Sequence, residues 1–278
     1  MTATTSPGAV PPRAVPPHEL VSTVTSDGVR LVGRLWRPAG GAPAGPAYVV
    51  AHGFTGSTAA RRVLDICERL AVRGRVVVAL DFRGHGGSGG GSTLGEVETR
   101  DVAAAVALAR ARFGGPVVTA GWSMGGSVVL RHAGLGGDAD AVVSVSSPGL
   151  WYERRTRAMR LVHWAAETRR GRLLCRLVTG TTLTSGWVTL PESPVEVVGA
   201  IAPRPLLLVH GDADAYFPVR HARALAAAAP SAAFWLEPGM GHAETGTGPE
   251  LVDRIDDWVT AALSGRPATA PGRATMAG

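Results

Sequence analysis

The chain has 278 residues, 45% of them apolar, and a formal charge of +6 in which all 28 basic residues are arginine. A chain of this length buries a sizeable core without staples, and the absence of lysine excludes a Walker A nucleotide site and Schiff-base chemistry. The two cysteines, Cys67 and Cys175, stand far apart in no metal-ligand spacing, which argues against a disulfide framework and fits a reducing, cytoplasmic setting.

Residues 1–19 are rich in proline and carry no continuous apolar stretch of the kind a leader peptide needs, so they read as a disordered arm; residues 265–278 read as a similar tail. No run approaches the ~20 apolar residues of a bilayer span, so no integral membrane segment is expected. After the arm, "LVSTVTSDGVRLVGRLWRP" predicts two strands joined at Asp27–Gly28. Apolar runs and helical patterns then alternate. "AYVVAHG" predicts a buried strand, and Val63, Cys67, Leu70 and Ala71 share one face of a helix that stops at Gly74. "RVVVALD" is the next strand, followed by a helix with Val102, Val106, Ala109 and Phe113 on one face. "PVVTAGW" and "AVVSVSS" are strands on either side of a helix over 124–133. Continuous rather than alternating apolar strands indicate a parallel sheet covered on both faces.

Residues 149–200 break the pattern, with no clear strand, three tryptophans and many arginines. The alternation resumes with the strand "PLLLVHG", a helix over 220–229, the strand "AAFWLEP" and a last amphipathic helix marked by Leu251, Ile255, Trp258 and Ala262. The organisation is one α/β domain, residues 20–148 and 201–264, interrupted by a helical insertion over 149–200.

The chemistry centres on "GWSMGG", residues 121–126, which is G-x-S-x-G between a predicted strand and a predicted helix. This context is that of a nucleophile elbow, a strained turn that lifts the Ser123 hydroxyl above the sheet edge with a helix N-terminus behind it. A serine hydroxyl needs a base, and the base an orienting acid, which this architecture supplies later in the chain in the order acid, then histidine. "PLLLVHG" runs into "DADAYFP", offering Asp212 and Asp214; "AAFWLEP" runs into "GMGHAE", offering His242. All lie just past strand C-termini, where open α/β sheets place their ligands.

Over roughly residues 20–263 the chain resembles the α/β-hydrolase family. "AHGFTGS" is similar to the oxyanion loop after the third strand, "DFRGHGGSGG" to the loop after the fourth, "GWSMGG" to the elbow, "HGDADAYFP" to the acid loop and "GMGHA" to the histidine loop. The resemblance implies a mostly parallel sheet with helices on both faces. It also implies Ser123 as nucleophile, His242 as base and Asp214, the aspartate of the "HG-x-x-D" pattern, as the orienting acid. The backbone N–H groups of Phe54 and Met124 would then form the oxyanion hole.

The implied activity is hydrolysis of a small-molecule carboxylic ester without metal or organic cofactor, and with no nucleic-acid partner. A thioesterase or acyltransferase, a serine aminopeptidase, and a non-catalytic hydrolase-fold binding protein remain the alternatives. "GHGGSG" over 84–89 matches G-x-G-x-x-G, but no helix starts directly after it, so it reads as a flexible loop. His52 and His85 read as loop residues, and Trp122 as pocket lining or as packing. Trp151, Tyr152, Trp164 and Trp187 read as an apolar lid or as glue for the insertion. The eight arginines between Arg154 and Arg176 read chiefly as a solvated helical face, with anionic head groups or acidic substrates as the functional alternative.

Overall fold

The computed structural model describes residues 16–38, 43–151, 153–185, 187 and 190–266; most of the proposed arm and tail, and Tyr152, lie outside the described residues. In chain order the elements are β1 (His18–Val24), β2 (Arg30–Trp36), β3 (Ala47–Ala51), α1 (Arg61–Val72), β4 (Val76–Leu80) and α2 (Thr99–Phe113). They continue as β5 (Val117–Trp122), α3 (Met124–Gly134), β6 (Ala141–Val145), α4 (Arg157–Glu167), α5 (Arg169–Thr179) and the short α6 (Pro194–Val197). The chain closes with β7 (Leu206–Gly211), α7 (Arg220–Ala228), β8 (Ala233–Glu237), the short α8 (Ala243–Gly246) and α9 (Pro249–Leu263).

The strands form one sheet in the order β1-β2-β4-β3-β5-β6-β7-β8, antiparallel through β1, β2 and β4 and parallel from β4 to β8. β1 starts two residues inside the stretch read as an arm, because His18 pairs opposite Trp36 and extends the hairpin ladder. The parallel strands β3 to β7 are buried on both faces, as their unbroken apolar runs require, and the edge strand β8 is only partly covered. Val77, Ala79, Val118, Ala120 and Trp122 face α1 and α9, whose Ile66, Leu70, Ile255 and Val259 complete that core. Val78, Leu80 and Val117 face the other way, against α2, α3 and α7 through Val106, Val129 and Leu225. This two-sided burial fixes the register of the central strands, since a slip of one residue would exchange the two cores.

No helix among the described residues is long and apolar enough to cross a membrane. Over 149–200, α4 and α5 are joined through Thr168 and pack against each other, and both contribute to the wall of the cavity that holds Ser123. The side-chain oxygens of Thr156 and Thr168 cap their N-termini by accepting from the backbone N–H of Met159 and Gly171. Both ends of the segment are tied to the core. Glu153 accepts from Arg220 of α7, and Arg131 Nε of α3 donates to the Glu192 carbonyl at 2.8 Å, while Trp151 Nε1 donates to the same carbonyl at 2.8 Å and so joins the two ends of the segment to each other. Ser92 and Leu183 form a β-bridge, and Trp187 Nε1 donates to the Thr93 carbonyl at 2.7 Å.

Candidate active site

Ser123 occupies the one-residue turn between β5 and α3 at φ 53°, a region that residues with a Cβ seldom enter. Its N–H is held by the Val145 carbonyl at 2.9 Å, so β6 helps maintain the turn. The flanking glycines are there because backbone passes where a side chain would stand. A Cβ on Gly121 would lie 2.3 Å from the Gly125 carbonyl oxygen, and one on Gly125 would lie 2.2 Å from the Ala51 carbonyl oxygen. The same close approach brings the end of β3, and the loop after it, against Ser123.

Three distant loops converge on that hydroxyl. His242, in the loop between β8 and α8, has Nε2 2.9 Å from Ser123 Oγ. Its Nδ1 lies 2.8 Å from Asp214 Oδ2. With Nδ1–H donated to the carboxylate, Nε2 is left to accept the serine proton. Asp214 follows β7, and its second oxygen accepts from the backbone N–H of Tyr216 at 2.8 Å and of Phe217 at 3.0 Å. Burial alone would raise the Asp214 carboxyl, but the His242 hydrogen bond and charge and the two amides outweigh it and hold the acid below its usual range. Asp212 points elsewhere and accepts from the Gly239 N–H at 2.7 Å.

The backbone N–H groups of Phe54 and Met124 meet no acceptor among the described residues, and both residues line the cavity beside Ser123. The loop that carries Phe54 is braced on both sides. Gly53 N–H donates to Glu244 Oε1 at 2.6 Å, and Thr55 N–H, at φ 62°, donates to His85 Nε2 at 3.3 Å. His52 accepts from the Phe82 N–H at 3.1 Å and its other ring nitrogen bonds the Gly53 carbonyl at 2.8 Å. The 84–89 segment is a folded turn, with Gly87 N–H and Ser88 Oγ both donating to Asp81, and α2 begins only at Thr99.

Several contributors lie beyond the motif residues. Tyr216 stacks on the His242 ring with centroids 4.4 Å apart. His210 bonds the Phe217 carbonyl at 2.9 Å and so props the acid loop from behind. Glu244 was within the quoted "GMGHAE" segment, yet nothing in its spacing marks it as a brace for a loop 191 residues away. Trp122 is packing: it is buried in the core, and its Nε1 donates to Thr247 at 3.0 Å.

The site opens into a cavity of about 660 Å³. Trp151, Met159, Trp164, Leu174 and Trp187 line its outer wall, all from the segment between β6 and β7, and Leu94 lines it too, packed against Ala165 and Cys175. Arg157 and Glu244 are the charged side chains of this lining other than the histidines. Cys67 and Cys175 are free and buried, and no cluster among the described residues suits a metal ion.

Burial holds His52, His85, His210 and His221 below the ordinary histidine value and pushes His132 down from 6.5 to about 4. On unfolding these rings take up protons that the native state refuses, so stability is lost as pH falls below about 6.5. Each contributes a slope of about 1.4 kcal/mol per pH unit between the two values. Urea midpoints should therefore drop between pH 7 and pH 5, and His132→Gln should flatten that drop. Midpoints that do not move with pH would contradict the reading.

Comparison with known proteins agrees with this architecture. The family described as "Serine aminopeptidase, S33" matches residues 43–196. The esterase Pf2001 of Pyrococcus furiosus is similar at 22% identity with a TM-score of 0.70, over 92% of this chain and 96% of that one. The α/β hydrolase GrgF from Penicillium sp. sh18 is similar at 18% identity and TM-score 0.70, over 89% and 99% of the two chains. Est1E of Butyrivibrio proteoclasticus, solved with ferulic acid bound, is similar at 21% identity and TM-score 0.61, over 88% and 99%. With the family match spanning more than half of its length and the fold shared with solved hydrolases over most of it, the chain belongs to the α/β-hydrolases, in the family described as serine aminopeptidase, S33.

Proposed function

We propose that the protein is a serine hydrolase that cleaves carboxylic esters through an acyl-enzyme. The observation that carries this reading is the unbroken relay from Ser123 Oγ to His242 Nε2 at 2.9 Å and from His242 Nδ1 to Asp214 at 2.8 Å. It lies at the floor of an apolar cavity with two unclaimed N–H groups beside it. His242 takes the proton as Ser123 Oγ adds to the ester carbonyl, and Asp214 holds the ring in the tautomer that leaves Nε2 free. The amides of Phe54 and Met124 receive the oxyanion, each donor lowering the barrier by about 3 kcal/mol. The imidazolium then protonates the departing alcohol, and a water activated by the same ring releases the acid.

The cavity supports an ester with an apolar acyl or alcohol group over an aminoacyl substrate. A substrate ammonium would need a carboxylate, and the acid that lines the wall, Glu244, is already bonded to Gly53 N–H. Glu153 and Glu167, the acids nearest the wall in sequence, are paired with Arg220 and Arg154. A thioester carbonyl would meet the same three groups. The two free, buried cysteines suit a reducing compartment, and we place the protein in the cytoplasm on that ground.

The reading is tested with a fluorophosphonate probe followed by peptide mapping, and with a panel of p-nitrophenyl esters, acyl thioesters and aminoacyl amides. Labelling should map to Ser123, and apolar esters should be turned over fastest. Folded protein that resists the probe, or a preference for aminoacyl amides, would overturn it.

A further inference from the structure

The charge of this chain is concentrated in one place. Residues 153–179 hold eight of the 28 arginines and two of the 22 acids, which leaves twenty of each in the rest of the sequence. The whole net charge of +6 therefore sits on α4, α5 and the turn that leads into them. Arg157, Arg160, Arg169, Arg170 and Arg176 are all exposed, and among the described residues none of these five pairs with an acid.

The same surface carries apolar side chains that a solvated helical face would not. Leu161 is 63% exposed, Leu173 60%, and Leu177 and Val178 73% each. On α5, Leu173, Leu174, Leu177 and Val178 follow i, i+1, i+4, i+5 spacing and form one stripe; Arg169, Arg172 and Arg176 run beside it at i, i+3, i+7. Leu161, Trp164, Leu174 and Val178 also line the cavity, so this apolar surface is the rim of the opening to Ser123.

We propose that the outer face of α4 and α5 docks on an anionic lipid surface, with the mouth of the cavity opening toward it. A basic helix with leucines along one side is the composition that lies in a lipid interface, the guanidinium groups meeting headgroup phosphates while the aliphatic side chains enter the acyl boundary. Nucleic acid satisfies the arginines and leaves the four aliphatic side chains of α5 without a partner. A second copy of the chain covers the leucines but sets two faces of charge +6 against each other in any symmetric pair. Docking does not depend on the ester chemistry, and its readout is separate.

The test uses the full chain carrying Ser123→Ala, sedimented with vesicles of phosphatidylcholine alone or mixed with phosphatidylglycerol. Binding should be at least about tenfold tighter to the anionic vesicles and should weaken as salt rises. Arg169→Gln, Arg170→Gln and Arg176→Gln together should weaken it on the order of 100-fold, about fivefold for each charge. Leu173→Ser with Leu177→Ser should weaken it as well, with circular dichroism and melting temperature unchanged. Equal binding to both vesicles, binding to neither, arginine-dependent binding of duplex DNA, or a dimer that the leucine variants dissolve would each overturn the proposal.

Discussion

Ser123→Ala and His242→Ala each reduce kcat/KM toward a short p-nitrophenyl ester by a factor on the order of 10⁴ or more, and the double variant does no worse than either single one. The expectation follows from the proposed relay acting as a unit. An alanine at 123 leaves nothing to attack, and an alanine at 242 leaves a hydroxyl that keeps its proton, so the second loss finds no function left to remove. What survives is the contribution of the Phe54 and Met124 amides and of the cavity, which neither substitution touches. Ser123 contributes little to packing, and α3 is held by Val128, Val129 and Leu130 in the core, so both variants should melt close to the parent. Retained turnover in either, measured on folded protein, would show that the roles are misassigned.

Asp214→Asn should lower kcat by about 10⁴, whereas Asp212→Asn should change it by less than about tenfold. The two aspartates are two residues apart and chemically alike; their surroundings distinguish them. Asp214 is buried, and one of its oxygens is committed to the amides of Tyr216 and Phe217, so an asparagine there would point its NH₂ at His242. The ring would then turn its other tautomer outward, with Nε2 protonated and unable to accept from Ser123. Asp212 supports only the Gly239 N–H at the start of the loop that carries His242. Comparing kcat for the two variants, with an intact melt for each, decides the assignment; equal losses would remove Asp214 from the relay.

The layered sheet was legible in the sequence because its central strands are buried on both faces and so read as unbroken apolar runs between helical stripes. The elbow was legible for a steric reason, since "GWSMGG" places glycine where the carbonyls of Gly125 and Ala51 pass within 2.3 Å of a Cβ. The candidate acid and histidine stood out by their position after strands, but the choice between Asp212 and Asp214 rested on a resemblance, because loop geometry leaves no periodicity to read. The braces behind the site were not legible. Glu244, His210 and Tyr216 act through single contacts across the fold, to Gly53, Phe217 and His242, and a lone polar or aromatic residue in a loop has no pattern that announces its partner. Nor did the sequence reveal that the leucines of α5 face solvent, since an amphipathic stripe looks the same whether it meets a core or is left exposed.

The segment between β6 and β7 is fastened by Glu153 to Arg220, by the Ser92–Leu183 bridge and by Arg131 to the Glu192 carbonyl, while the groups of the proposed relay sit on loops of the sheet. Recognition and reaction are thus written on separate stretches of chain. Evolution can rewrite α4 and α5 between Glu153 and Leu183, altering which molecules enter, while the proposed relay stays on loops of its own. An engineer could do the same by transplanting a foreign helical pair between Glu153 and Leu183.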